Sequence, residues 1–203
     1  MKTTSIYAQA LGSGFTALAP VLKRLHGTEQ RRLTGILQIR TATHPLAGFL
    51  LWLSRLPRIQ AASPTQLWVV PCKDGERWLR YFGHWQFFTF QRNQVSNAAR
   101  SEGASATSRA ELLERFGPIT LHLRLCVKGQ SLTVRSSATR LFGMKLPQWL
   151  GVCVVAHERP IDENTLYCDI RLFLPWLGRL LQYKGTLSFQ NSLDRSPFPR
   201  SRT

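Results

Sequence analysis

The chain has 203 residues, 43% apolar and 19% charged, a balance that excludes a disordered chain and suits one globular domain with a sizeable core. Its 27 basic and 11 acidic residues give a formal charge of +16. That charge is spread without a long basic run, which excludes a nuclear-type cluster. A diffuse positive surface attracts nucleic acid, anionic lipid headgroups or acidic proteins about equally well.

In chain order, Ser5 caps a short predicted helix, "IYAQAL", that ends at the "GSG" of residues 12–14. A second helix, "FTALAPVLKRLHG", carries Leu18, Val21, Leu22 and Leu25 at helical spacing. Lys23, Arg24 and His26 in its last turn, followed by Gly27, supply the chemistry of a helix stop. "RRLTGILQIR" reads as a first strand. "THPLAGFLLWLSRLP" then starts a helix at Thr43 and Pro45 and stops at Pro57. It is apolar nearly all round, so it is either buried on both sides or touches something greasy; Phe49, Trp52 and Leu53 are its candidate lid or membrane residues.

From about residue 66 the pattern becomes β. "TQLWVVPCK" and "ERWLRYFG" flank a Lys73-Asp74-Gly75 turn and form a hairpin. "HWQFFTFQR" places Trp85 and Phe87 on one face and Phe88 and Phe90 on the other, so it needs cover on both sides. Residues 93–110 read as a mobile loop. In "ELLERFGPITLHLRLCVKG", Ile119, Leu121, Leu123, Leu125 and Val127 face inward while Thr120, His122, Arg124 and Cys126 face out. Unbroken alternation puts Arg115 inward and Glu114 outward, unless Gly117-Pro118 resets the register. "LTVRSSATRLFG" follows as a strand, "MKLPQWL" as a short helical or irregular plug, and "GVCVVAHE", "TLYCDIRLFLP" and "RLLQYKGTLSFQ" as the last strands.

About nine or ten consecutive short strands favour an antiparallel meander, and a sheet that long curls or closes. The expected fold is α+β and mainly β: a curved antiparallel sheet or barrel-like cup with two or three N-terminal helices packed on it. Residues 1–190 form a single domain, and 191–203 a flexible basic tail.

Little catalytic chemistry is legible. Five scattered histidines and four scattered cysteines have no metal or redox spacing, so no metal and no cofactor are implied. The thiols, with no signal-peptide core and no apolar stretch of roughly 20 residues, point to the cytoplasm. Phosphate-loop and nucleophile-elbow motifs are missing. Glu114, Glu158 and Asp169 lie in or beside strands; each is an ion-pair residue or, facing a greasy interior, a general acid or base. Trp78, Arg80 and Phe82 interleave in a way that stacks bases, yet no nucleic-acid-binding signature accompanies them, so nucleic acid is not the expected partner.

"IYAQALGSGF", "RYFG", "LLERFGPITLHLRL", "LFGMKLPQWLGVCVVAHE" and "LFLPWLGRLLQYKGTL" together resemble a bacterial domain-of-unknown-function family, number 4166, over roughly residues 6–190. The resemblance implies a binding or accessory module rather than a defined reaction. It marks Glu114, Arg115, Gly117, Pro147, Glu158, Pro175, Tyr183 and Gly185 as residues of a shared site or scaffold.

Three functions follow as expectations. The first is a non-catalytic module holding a small apolar or amphipathic, lipid-like ligand in an interior of at least about 300 Å³. Arg115, Glu114, Glu158, Tyr183, Trp149, Phe88 and Trp85 are its candidate ligand-binding residues. The second is peripheral binding to an anionic membrane surface. The third is an enzyme with Glu114 or Glu158 as general acid or base.

Overall fold

The computed structural model describes residues 5–53, 56–57, 61–94 and 111–190. The expected loop, apart from Asn93 and Gln94, and the expected tail lie outside the described residues. Three short helices come first: α1 (Ile6–Leu11), α2 (Gly14–Ala17) and α3 (Pro20–Leu25). Ser5 caps α1 as expected, its Oγ accepting from the amides of Tyr7 and Ala8. The expected single helix from Phe15 onward is broken in two. Pro20 forces Ala19 into extended backbone, and α3 starts afresh with Pro20 in its first turn.

The strands are β1 (Arg31–Thr41), β2 (Ala61–Cys72), β3 (Gly75–Phe82), β4 (Trp85–Gln94), β5 (Glu111–Phe116), β6 (Ile119–Lys128) and β7 (Ser131–Leu141). They continue with β8 (Met144–Lys145), β9 (Cys153–Pro160), β10 (Thr165–Leu174) and β11 (Gly178–Phe189); α4 (Pro45–Leu53) lies between β1 and β2. Every pairing is antiparallel.

The sheet closes on itself. β1 pairs with the last strand, β11, from Leu33↔Phe189 to Thr41↔Leu181, and β7 pairs with both β6 and β9. The result is a ten-stranded antiparallel barrel with β8 as an extra strand on β7. Closure leaves no long unpaired edge among the described residues, which is how a meander of this length avoids aggregating.

The barrel has two different ends. At one, α1 packs on β4, β5 and β6, and α3 on β9 and β10, so these helices plug the opening. At the other end α4 joins the turns that follow β3, β5, β7 and β10. Ala47 and Leu51 bury one face of α4, while Leu46, Phe49 and Trp52 are exposed on another. The core fills the barrel: Leu37, Phe82, Leu121 and Leu123 are among its fully buried side chains, joined by Leu18, Leu22 and Leu25 from the plug.

Candidate functional site

Alternation along β3 sends Glu76, Trp78, Arg80 and Phe82 into the barrel. Four residues in one row therefore offer the interior an anion, a cation and two large rings. Glu76 is anchored at the plugged end, where it accepts from Arg31 Nη2 at 3.1 Å and Trp78 Nε1 at 3.2 Å. Arg31 also donates to the carbonyls of Gly27 and Glu29, which ties the α3–β1 loop down.

Deeper inside, Arg80 Nη2 stands 3.6 Å from Glu114 Oε1, and Arg80 Nη1 donates to Thr89 Oγ1 at 3.0 Å. Both charged side chains are only slightly exposed, 12% and 13%, and both line the interior hollow. Burial opposes the charge on Arg80, but nearby acidic groups, Tyr183 once it ionises and the Glu114 carboxylate already at neutral pH, more than offset it, so the guanidinium stays protonated. Nearer the plug, His26 Nε2 and Glu158 Oε2 are 2.7 Å apart. The Tyr7 ring stacks on His26 at 3.8 Å, and its hydroxyl donates to Gln91 Oε1 at 2.8 Å. His26 is completely buried, and its Nδ1 meets no hydrogen-bond partner among the described residues.

Two phenols complete the set. Burial, reinforced by Glu158, Glu76 and Glu114, pushes Tyr7 well above its ordinary pKa. Burial also lifts Tyr183 to about 12, against the opposing pull of Arg80. Both stay protonated at neutral pH, so each keeps an O–H to donate, which Tyr7 gives to Gln91. Cys168, lining the same space, is pushed up to about 12 chiefly by burial, so it is an inert thiol there.

The hollow that Tyr7, Arg80, Glu114, Glu158, Cys168 and Tyr183 line is about 80 Å³. This is well short of the roughly 300 Å³ expected of a ready-made ligand cavity. The rings of Trp78, Phe82, Phe87 and Tyr183 and the Arg80 side chain occupy the missing space.

The sequence-derived candidates sort by strand geometry. Glu114, Glu158 and Tyr183 come together in the interior. Arg115 does not: it is exposed on the outer wall, and Glu114 is the inward member of the pair. The Gly117-Pro118 turn is the cause. It pairs Phe116 directly with Ile119, so residues three apart share a face and the parity of β5 flips relative to β6. Gly117 supplies the left-handed conformation that the turn requires, at φ +54°.

Phe88 points outward from β4 and is exposed, while Phe87 and Thr89 face in. Trp85 stands at the rim of the α4 end. Trp149 is exposed in the turn after β8, where the expected plug forms part of the rim instead. Phe49 and Trp52 are exposed on α4 and lie outside the interior. The Leu53 side chain is not among those described. Asp169 faces outward from the barrel but is largely covered, accepting from the exposed Arg171 (Nη2–Oδ2 2.5 Å) and from the buried Gln182 (2.8 Å), an ion pair of the outer wall.

Sequence reasoning did not single out Tyr7, His26, Gln91 or Thr89 for this site, and it weighed Arg80 only for base stacking. The signal for Arg80 was present in its two-residue spacing from Trp78 and Phe82. Nothing local marks Tyr7 or His26, which reach the interior only because the plug helices sit over the barrel.

No curated protein and no solved structure matches the chain. The family model described as "Domain of unknown function (DUF4166)" matches residues 18–187, which span every strand from β1 to β10 and most of β11. The chain therefore belongs to the DUF4166 domain family.

Proposed function

We propose that the protein is a non-catalytic binding module that takes a small amphipathic molecule into the barrel, polar end first. The observation that supports this most strongly is the buried polar cluster, the Arg80–Glu114 ion pair and the His26–Glu158 contact, from which Arg80, Glu114 and Glu158 line a mostly apolar hollow. Buried ion pairs rarely add net stability over apolar side chains of similar size, so their presence is better accounted for by a ligand.

The pairing also selects the ligand. With the Arg80 guanidinium already matched by the Glu114 carboxylate, an added anion finds no counterion there, whereas a hydroxyl or carbonyl finds donors and acceptors. The expected head group is uncharged: an alcohol, ester or amide on an apolar body. Tyr183 donates to it, Glu158 accepts from it, and Leu121, Leu123 and Leu166 surround the carbons beyond. The 80 Å³ hollow takes the head and the first carbons, and a longer tail enters by displacing Phe87. The four free thiols suit a reducing, cytoplasmic setting.

Native mass spectrometry of protein purified without delipidation tests the reading. A neutral amphiphile carried on the wild-type chain, and lost in the charge-neutral double variant Arg80→Met/Glu114→Met, is the expected result. A bare 23.1 kDa chain whose melting temperature 1-decanol does not raise overturns it.

A second reading, an enzyme with Glu158 as general base, draws support from the 2.7 Å His26–Glu158 contact in the interior. It requires a substrate in the same hollow, so ligand identification serves both.

A further inference from the structure

Large apolar side chains are not scattered over this surface. Among the described residues, all the exposed ones except Ile36, Phe88 and Ile161 sit at the α4 end of the barrel. Phe49 and Trp52 project from α4, Trp85 from the first position of β4, Phe142 from the β7–β8 turn, Trp149 from the turn after β8, and Trp176 from the β10–β11 turn. Phe49 and Trp52 stack at 5.9 Å, three residues apart on one face of the helix. Phe142 is 75% exposed and takes a positive φ of 49°, unusual for a residue with a side chain.

Acidic residues are partitioned the same way, although cations such as Arg24, Lys73 and Lys128 are exposed at the plugged end as well. Among the described residues, the loops and turns of the α4 end contain no Asp or Glu, whereas Glu29, Asp74, Asp162 and Glu163 occupy turns at the plugged end. Arg40, His44, Lys145 and Arg179 are exposed at the α4 end. Arg40, His44 and Arg179 line an open cleft of about 640 Å³ beside α4.

We infer that this rim docks on an anionic phospholipid bilayer. Trp52, Trp85, Trp149 and Trp176 enter the interfacial zone, which favours an amphipathic ring. The cleft and rim cations meet the phosphate and carboxylate headgroups, where each is worth roughly a fivefold gain in partitioning. A rim of single side chains from separate turns matches the soft, laterally fluid boundary of a bilayer. A protein partner is better served by a continuous packed patch. Charge complementarity decides the lipid class: the cations add to binding only where the headgroups are anionic. The docking needs nothing from the barrel interior, so it stands or falls apart from the ligand reading.

Vesicle co-sedimentation with intrinsic tryptophan fluorescence tests it, using phosphatidylcholine vesicles with and without phosphatidylserine. The wild type binds the mixed vesicles with a blue shift and pure phosphatidylcholine at least about tenfold more weakly. Phe49→Asp cuts partitioning at least about tenfold, and Arg40→Glu/Arg179→Glu by well over tenfold, while Ile161→Asp at the opposite end changes neither. Three results overturn the inference. One is equal binding by Phe49→Asp and wild type with no blue shift, which marks adsorption of the diffuse positive charge. Another is equal loss in Ile161→Asp. The third is a wild-type dimer in the absence of vesicles that Phe49→Asp converts to monomer, which marks the rim as a protein interface.

Discussion

Tyr183 and Cys168 carry ionisable groups into the same apolar space, and each holds its proton in the fold far above its ordinary range. Burial is the dominant cause for both. An unfolded chain releases these protons from 9.0 (Cys) and 10.0 (Tyr), while the folded chain keeps them to about 12. The folded state therefore binds more protons in that interval, so stability is intact below about pH 9 and falls as pH rises toward 12. A shift of two units corresponds to roughly 3 kcal/mol, which Tyr183→Phe removes from the alkaline loss. Thermal melts across pH 8–12 should show a steep wild-type decline and a shallower one in Tyr183→Phe. Equal slopes contradict the placement of the phenol. Single residues of this site were partly legible: the inward or outward sense of Glu114 and Arg115 turned on whether the Gly117-Pro118 turn preserves parity. Glu158 and Tyr183 stood in plain strands, but nothing beside them identified His26 or Arg80 as their neighbours.

Two glycines explain how the first and last strands can meet. A Cβ on Gly35 would stand 2.0 Å from the carbonyl oxygen of Thr186, and one on Gly185 would stand 2.4 Å from that of Ile36. Gly185 also sits at φ +154°. β1 and β11 thus approach with no room for a side chain at the seam that closes the barrel. Gly35→Ala should cost about 1–3 kcal/mol or more in a urea titration, because backbone has to shift rather than a flexible side chain. An unchanged midpoint would mean that the seam is looser than described. Most elements were readable from alternation and turn chemistry, as in the Lys73-Asp74 hairpin and the inward row of β6. Two departures have local causes. Pro20 splits a helix that periodicity alone joined, and β2 begins at Ala61, before its alternating apolar pattern starts.

At the scale of the whole molecule, the number of strands and their consecutive turns implied curling or closure, and the barrel closes. Strand counting cannot say which end a helix covers. α1 to α3 and α4 fall at opposite mouths, and that division separates a plugged end bearing both acids and cations from an aromatic end whose described loops carry cations and no Asp or Glu. Nor does a single chain reveal that residues as distant as Tyr7, Arg80, Glu158 and Tyr183 share one space, since only strand pairing brings them together. The size of the interior also depends on which large side chains turn inward, so a hollow of about 80 Å³ could not be read from the pattern. The central claim is that this polar-floored interior, small at rest, receives the head of a neutral amphiphile. Methyl NMR during titration with 1-decanol tests it most directly. The account predicts saturable shifts at Leu121, Leu123 and Leu166 that octanoate does not reproduce at neutral pH. Shifts confined to Leu46 and Leu150 at the rim, or none at all, would contradict it.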